Sequence, residues 1–427
     1  MSASVEHFTS ASKPSSSNTF RIIAAASIGN ALEWYDILVY GYFAVTISRL
    51  FFPVENETTS LLLALGTFGI SYLVRPLGAI VLGAYADRAG RKAAMLASIV
   101  LMTIGTGLMA VMPTYASIGI AAPIATLVSR LFQGFAVAGE FGSATAFLVE
   151  HSSTRKGFFA SFQWFGQGFA AVLASALGVI LTGALTADQL QSWGWRIPFF
   201  VGLLIGPIGL YIRKHVTETP EFREAKLTRT PVRDVFAGQW DRLLLAIGAV
   251  VISTASNYVI LYMPTFAIRQ LHMPQTLGFI ATMLGGLLLT IGAPVFGHLS
   301  DRVGRIPIMA AVCVLFALTA YPAFALLIGH PTLIGIIVMV GWLSLLKAAY
   351  SGTLPSLLAE IFPTQTRGTG IAISYNISVP IFGGFAPLIS AWLIAVTGSS
   401  LAPSIYLIFG SLLSLVVLIA IRVKLKL

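Results

Sequence analysis

Six ionisable residues interrupt long apolar stretches of this chain: Glu33, Asp36, Arg75, Arg130, Glu140 and Lys347. Glu33 and Asp36 are three positions apart, so on a helix they share a face. Carboxylates surrounded by apolar sequence need basic partners, water or protons. Two readings are open for them: a structural hydrogen-bonded or ion-paired network, or proton carriage with substrate contact. Arg130 and Glu140 lie ten residues apart, about 15 Å along a helix, which is too far for them to pair with each other. A guanidinium can hold a carboxylate through two parallel hydrogen bonds, which an ammonium cannot. Arg75 precedes Pro76 and lies about 18 Å of helix before Asp87, deep enough that Glu33 or Asp36 is a candidate partner. Lys347 stands in the middle of an apolar run, with Glu360 the next charge along the chain. An unpaired ammonium there is costly. It is either fixed by a carboxylate of Glu33, Asp36 or Glu140, or it selects a substrate. With all six charged the set is neutral, and protonating one carboxylate leaves it positive. An anion and a proton could then cross together. Gln163, Asn257 and Tyr258 are neutral polar groups in the same kind of sequence. They suit either substrate contact or bonds between helices, and Tyr258 with Tyr262 four residues on suits core packing as well.

These residues need elements that carry them through a membrane. The 427-residue chain is 56% hydrophobic and only 10% charged, where soluble domains carry about 25% charge. Twelve apolar runs, from 22–47 to 402–423, reach the roughly 20 residues a helical span needs. An even number puts both termini on one side. With that side cytoplasmic, 20 of the 26 Lys and Arg fall in or beside inside segments, as the positive-inside rule requires. Arg49, Arg196 and Arg269 fall outside, and Arg75, Arg130 and Lys347 fall within spans. The net charge of +10 is thereby explained without nucleic acid. Cys313 is the single cysteine, which excludes an internal disulfide and a cysteine metal site. The six histidines are scattered, no phosphate-binding glycine loop is present, and no nucleophile–base set suggests an enzyme. No metal and no cofactor are expected, the proton gradient being the energy source.

Two charged motifs recur. Gly83-Ala-Tyr-Ala-Asp87-Arg88-Ala-Gly90-Arg91-Lys92 returns as Gly297-His-Leu-Ser-Asp301-Arg302-Val-Gly304-Arg305, 297 − 83 = 214 residues later. Glu150 followed by Arg155 returns as Glu360 followed by Arg367, at 360 − 150 = 210. Two motifs repeating at nearly one offset indicate a duplicated half. Such charge density cannot lie in hydrocarbon, so the motifs are expected as turns at the membrane surface. They act either as plain anchors or as gate latches in which Asp87 or Asp301 holds a moving partner.

The repeated G-x-x-x-D-R-x-G-R motif resembles the loop between helices two and three of the major facilitator superfamily, and its twin the equivalent loop of the second half. The resemblance implies an all-α membrane protein of twelve transmembrane helices in two pseudo-symmetric six-helix halves. Helices one, four, seven and ten line a central cavity that opens alternately to each side. Asn30-Ala-Leu-Glu33-Trp34-Tyr35-Asp36, Arg130-Leu-Phe-Gln-Gly134 and Trp193-Gly-Trp195-Arg196-Ile-Pro198 resemble the metabolite–proton symporter branch, which includes permeases for α-ketoglutarate, citrate, shikimate, and proline or betaine. The implied layout is a tail at 1–19, a first half at 20–213, a cytoplasmic linker at 214–242 and a second half at 243–427. The implied function is proton-coupled uptake of a small mono-, di- or tricarboxylate by a monomer in a bacterial inner membrane. Arg130, Lys347, Arg75, Asn257, Tyr258 and Gln163 are expected at the substrate. Asp36, Glu33 or Glu140 is expected to carry the proton. The alternative is a zwitterion such as proline or betaine. Export of cationic or lipophilic compounds fits poorly with three basic residues in spans.

Overall fold

The computed structural model describes residues 30–31, 33–89, 91–137, 141–142, 145, 148–149, 155–215, 235–236 and 238–426. Gly90, Glu140 and Glu150 lie outside the described residues, as do the tail 1–19 and most of the linker 214–242. Of Gly83, Asp87, Arg88 and Arg91, helical backbone alone is described.

The described residues form helices joined by short turns, without strands. We number the crossings α1 to α12. The first, α1, comprises helical residues 33–42 and, past Phe43, Ala44–Phe51. Next come α2 (Glu57–Leu73 continued by Arg75–Ala89), α3 (Arg91–Val111), α4 (Ala121–Ala136), α5 (Lys156–Ala184) and α6 (Ile197–His215). The second set is α7 (Trp240–Arg269), α8 (Gln275–Val303), α9 (Arg305–Gly329) and α10 (Leu333–Ile361). It closes with α11 (Arg367–Val379, then Pro380–Gly384 and Ala386–Thr397) and α12 (Ala402–Leu425). Eight of these crossings are long and apolar enough to cross a bilayer outright. Shorter apolar helices at Leu96–Val111 and Gly194–Leu204 supply the cores of α3 and α6.

Only helices satisfy their own backbone in hydrocarbon, which is why apolar composition and helix coincide here. The ends are set by local chemistry. Asn56 caps α2 by accepting from the backbone N–H groups of Thr58 and Thr59, and Thr332 does the same for Gly335 at the start of α10. Basic Arg422 and Lys424 occupy the last turn of α12, where the helix dipole favours them. Large apolar side chains such as Ile80, Leu318, Leu326 and Ile334 point outward, as a lipid-facing surface requires. By contrast α7 is 89% buried along its apolar window, against 33% for α9, so α7 is a central element and α9 a peripheral one. Along α5 and α8 the backbones touch: Gly168 abuts Gly286 and Thr290, and Gly157 abuts Gly297.

One expectation is corrected. The repeated charged motif is not a ten-residue surface turn. Helix runs through Ala89 and resumes at Arg91, and it runs through Val303 and resumes at Arg305. In the second copy the reversal falls on Gly304 alone, at φ +97°, a conformation that glycine tolerates and a side chain resists. The charged residues therefore prolong helices beyond the hydrocarbon instead of forming a loop. A second irregularity lies in α11, where Pro380–Gly384 forms a π-helical turn. Such turns interrupt α-helices often at functional positions.

Candidate functional site

The first cluster is built inside the first six helices. Asp36 of α1 is buried, and its Oδ2 accepts a hydrogen bond from the Thr106 hydroxyl of α3. Gln133 of α4 donates from Nε2 to the same threonine oxygen at 3.0 Å. The other carboxylate oxygen, Oδ1, has no hydrogen-bond partner. A Cβ placed on Gly202 of α6 would run into that oxygen, so Asp36 points between α3 and α6, away from the opposite half. Arg130 is also buried, one turn before Gln133. Its guanidinium lies over the Tyr40 ring, 4.4 Å from the centroid. Its Nε and Nη2 have no hydrogen-bond partner. Arg130 and Asp36 interact electrostatically without a contact ion pair among the described residues. Glu33 is half-buried.

Lys347 forms the second cluster. It is buried in mid-α10, and its Nζ donates to the Asn257 Oδ1 of α7. It also donates to the Gln167 Oε1 of α5 at 3.5 Å. The ammonium lies 5.6 Å from the centroid of the Trp164 ring. Two of these contacts, Gln167 and Trp164, come from the first six helices, so Lys347 touches both halves. The expected alternative of a fixed ion pair with Glu33 or Asp36 is corrected. No carboxylate among the described residues pairs with Lys347; amide oxygens and an aromatic face carry its charge. The Arg75 guanidinium lies over the ring of Tyr72 on its own helix, 4.1 Å from the centroid. Gln163 is buried on α5, one turn from Gln167.

Between the clusters the halves meet through aromatic rings. The Tyr258 hydroxyl donates to that of Tyr72 across the halves at 2.8 Å, with the rings at 90° and 5.5 Å between centroids. Trp34 lies 6.3 Å from Tyr258. Phe141 and Tyr375 stack at 3.6 Å, also across the halves. Tyr258 thus packs and bonds at the same time. Tyr262, one turn on, is buried with its hydroxyl unpartnered. Tyr72, Thr106 and Tyr375 escaped sequence reading. Tyr72 carried a usable signal, three residues before Arg75 and hence on its face; Thr106 and Tyr375 carried none.

Charged groups clasp both ends. At one end Asp301 of α8 accepts the backbone N–H groups of Gly157 (2.8 Å) and Phe158 (3.0 Å) at the start of α5. A carboxylate there meets unsatisfied donors and the positive end of the helix dipole together. Arg305 pairs with Asp301 at 3.2 Å and with Glu360 at 3.0 Å. Arg367 donates to the Ala359 carbonyl at 2.9 Å, while Arg302 is exposed. At the other end Glu57 of α2 pairs with Arg49 at 3.3 Å and, across the halves, with Arg269 of α7.

Twelve crossings, buried charges in mid-membrane and charged clasps at both ends of the inter-half seam define a multi-pass secondary transporter. The family model of the Major Facilitator Superfamily matches residues 28–375 and 245–426. The chain belongs to that superfamily, and its relatives place it among the metabolite–proton symporters. It is 35% identical over 398 residues to a citrate-proton symporter of Klebsiella pneumoniae, covering 92% of this chain and 89% of that protein. It is 35% identical over 415 residues to a proline/betaine transporter of Escherichia coli K12, covering 93% and 82%. Among solved structures, the proton:xylose symporter XylE superposes with a TM-score of 0.78 over 96% of both chains at 16% identity, a likeness of fold.

Proposed function

We propose that this protein is a proton-coupled symporter that imports a small organic acid anion by alternating access. One observation carries the reading. Arg75, Arg130 and Lys347 are buried within spans, and two of Arg130's guanidinium nitrogens have no hydrogen-bond partner. Such groups favour an anion, and an anion arriving with a proton leaves less net charge to desolvate. Arg130, Arg75 and Lys347 are assigned to the substrate's carboxylates, with Asn257, Gln163 and Tyr258 orienting it. Asp36 is assigned the proton, since it is a buried carboxylate with one oxygen free of hydrogen bonds. Glu33 and Glu140 are secondary candidates. Asp301, Gly304, Arg305, Glu360 and Arg367, and by repeat symmetry Gly83, Asp87, Arg88, Gly90, Arg91 and Glu150, are assigned to gating. The basic-residue asymmetry puts both termini in the cytoplasm of a cell with this chain in its inner membrane. The units are a tail 1–19, halves 20–213 and 243–427, and a linker 214–242. The protein acts as a monomer in lipid, without cofactor.

A second reading, uptake of a zwitterion such as proline or betaine, is supported by the equal identity to the proline/betaine transporter. Proteoliposomes with a pH-sensitive dye inside distinguish the two. Internal acidification on adding one of a panel of organic acids is the expected result. A response confined to proline or betaine overturns the anion assignment. Acid flux without proton movement overturns the coupling.

A further inference from the structure

The clasp of Arg49, Glu57 and Arg269 surrounds a recess at the seam between the halves, on the outer side in the proposed orientation. Val45, Ser48, Pro53, Val54 and Leu61 complete its walls. The Ser60 hydroxyl builds the floor, sitting 2.8 Å from the Ser48 carbonyl and 2.7 Å from that of Phe52. These bonds tie the end of α1 to the start of α2. The lining of the recess holds two guanidiniums and one carboxylate, with Glu55 beside Val54 as the next acidic residue along the chain. Arg269 closes α7, and its side chain is 17% exposed, while that of Glu57 is 59% exposed. The better-held member of the cross-half pair is therefore the cation, and the more easily displaced member is the carboxylate. Exposed ion pairs contribute little stability, so another carboxylate can take Glu57's place on Arg269 at small cost. Guanidinium forks suit that exchange because they bind any carboxylate through two parallel bonds.

We propose that this recess is an outer carboxylate-binding site in which an incoming organic anion displaces Glu57 from Arg269. The exchange captures the substrate and undoes the ion pair joining the halves at this end in one step. The inference rests on the reading above in taking the substrate to be a carboxylate and this end to face outward. A plain clasp and an exchange site predict different signs. Removing either partner of a clasp has one and the same effect. In an exchange site, Glu57→Gln removes the competitor and strengthens anion binding, whereas Arg269→Gln removes the receptor and weakens it.

The test places a thiol in the recess as Val54→Cys in the full chain, reconstituted in liposomes. Cys313, the sole native cysteine, is fully buried, so an impermeant maleimide reports the introduced thiol. Citrate is the probe, against chloride at equal ionic strength. Citrate is expected to slow labelling by about two- to fivefold, the range an exposed ion pair spans. The citrate concentration for half effect should fall with Glu57→Gln and rise with Arg269→Gln or Arg49→Gln. Absence of citrate protection, or equal shifts in Glu57→Gln and Arg269→Gln, overturns the proposal. Uptake measured in the same vesicles separates the two claims. Uptake without protection removes the outer site. Protection without uptake removes the transport reading and leaves the site standing.

Discussion

The two buried charge clusters solve the problem of a charge in hydrocarbon in opposite ways. Asp36 sits in a closed network of its own half, bonded by Thr106, backed by Gln133 and faced by the field of Arg130. Lys347 sits at the seam, where its partners among the described residues are neutral groups, two of which belong to the other half. An acid with a nearby countercharge can change protonation without disturbing the rest of the protein. A cation dressed in amides keeps an unmet demand for an anion. On the proposed function, that difference would put proton handling in the first half and anion capture at the junction. Any movement that parts the halves also strips Lys347 of Gln167 and Trp164, so its need for a ligand rises as the site opens.

Breaking the second cluster has the largest expected effect. Lys347→Ala should weaken substrate binding by about 2–5 kcal/mol, the range for truncating one partner of a buried charged contact, and reduce uptake below detection at micromolar substrate. Equilibrium binding on purified, folded protein checks this, and unchanged affinity would return Lys347 to a packing role. Breaking the first cluster should leave binding but remove coupling. Asp36→Asn fixes a neutral, protonated-like side chain. Accumulation against a gradient should be lost while substrate exchange across the membrane persists. The sign of the pH dependence follows. A carrier loaded with a proton from outside is loaded more fully as external pH falls, so uptake by the parent protein rises with acidification. In Asp36→Asn that slope should flatten, and a slope equal to the parent's would move the proton elsewhere. The smallest effect is expected between the clusters. Tyr258→Phe removes one hydroxyl bond across the seam, about 0.5–1.5 kcal/mol, and should change the uptake rate severalfold with little change in affinity. An affinity loss as large as that of Lys347→Ala would make Tyr258 a substrate ligand and dissolve the distinction between seam and site.

Much of the architecture was legible because hydrocarbon imposes so few solutions. Apolar run length and the duplicated charged motif led to twelve crossings in two halves, which the helices, the family model and the fold likeness bear out. The buried Asp36, Arg75, Arg130 and Lys347 were equally legible, since each stands out against apolar sequence. Their partners were not. Sequence left a carboxylate partner and a substrate role both open for Arg75 and Lys347. The fold instead supplied a tyrosine face to one and amides to the other. Those contacts join residues 180 positions apart in the case of Lys347 and Gln167, and nothing in a mid-helix glutamine announces which lysine it will meet. Thr106 was hidden for a related reason: a threonine in an apolar run normally bonds its own helix, as Thr106 also does to Met102. The charged motif misled in its form, because Gly304 turns the chain by itself and leaves the flanking charges on helix.

The backbone contact between α5 and α8 bears on how fast such a protein can work. Where two surfaces mesh through long side chains, sliding one past the other requires many rotamer jumps, each a small barrier. Gly168, Gly286, Gly157 and Gly297 have no rotamers to reset. The seam they form works as a smooth bearing. Without side chains to re-rotate there, the ionic clasps at the two ends would be the larger obstacle to rocking.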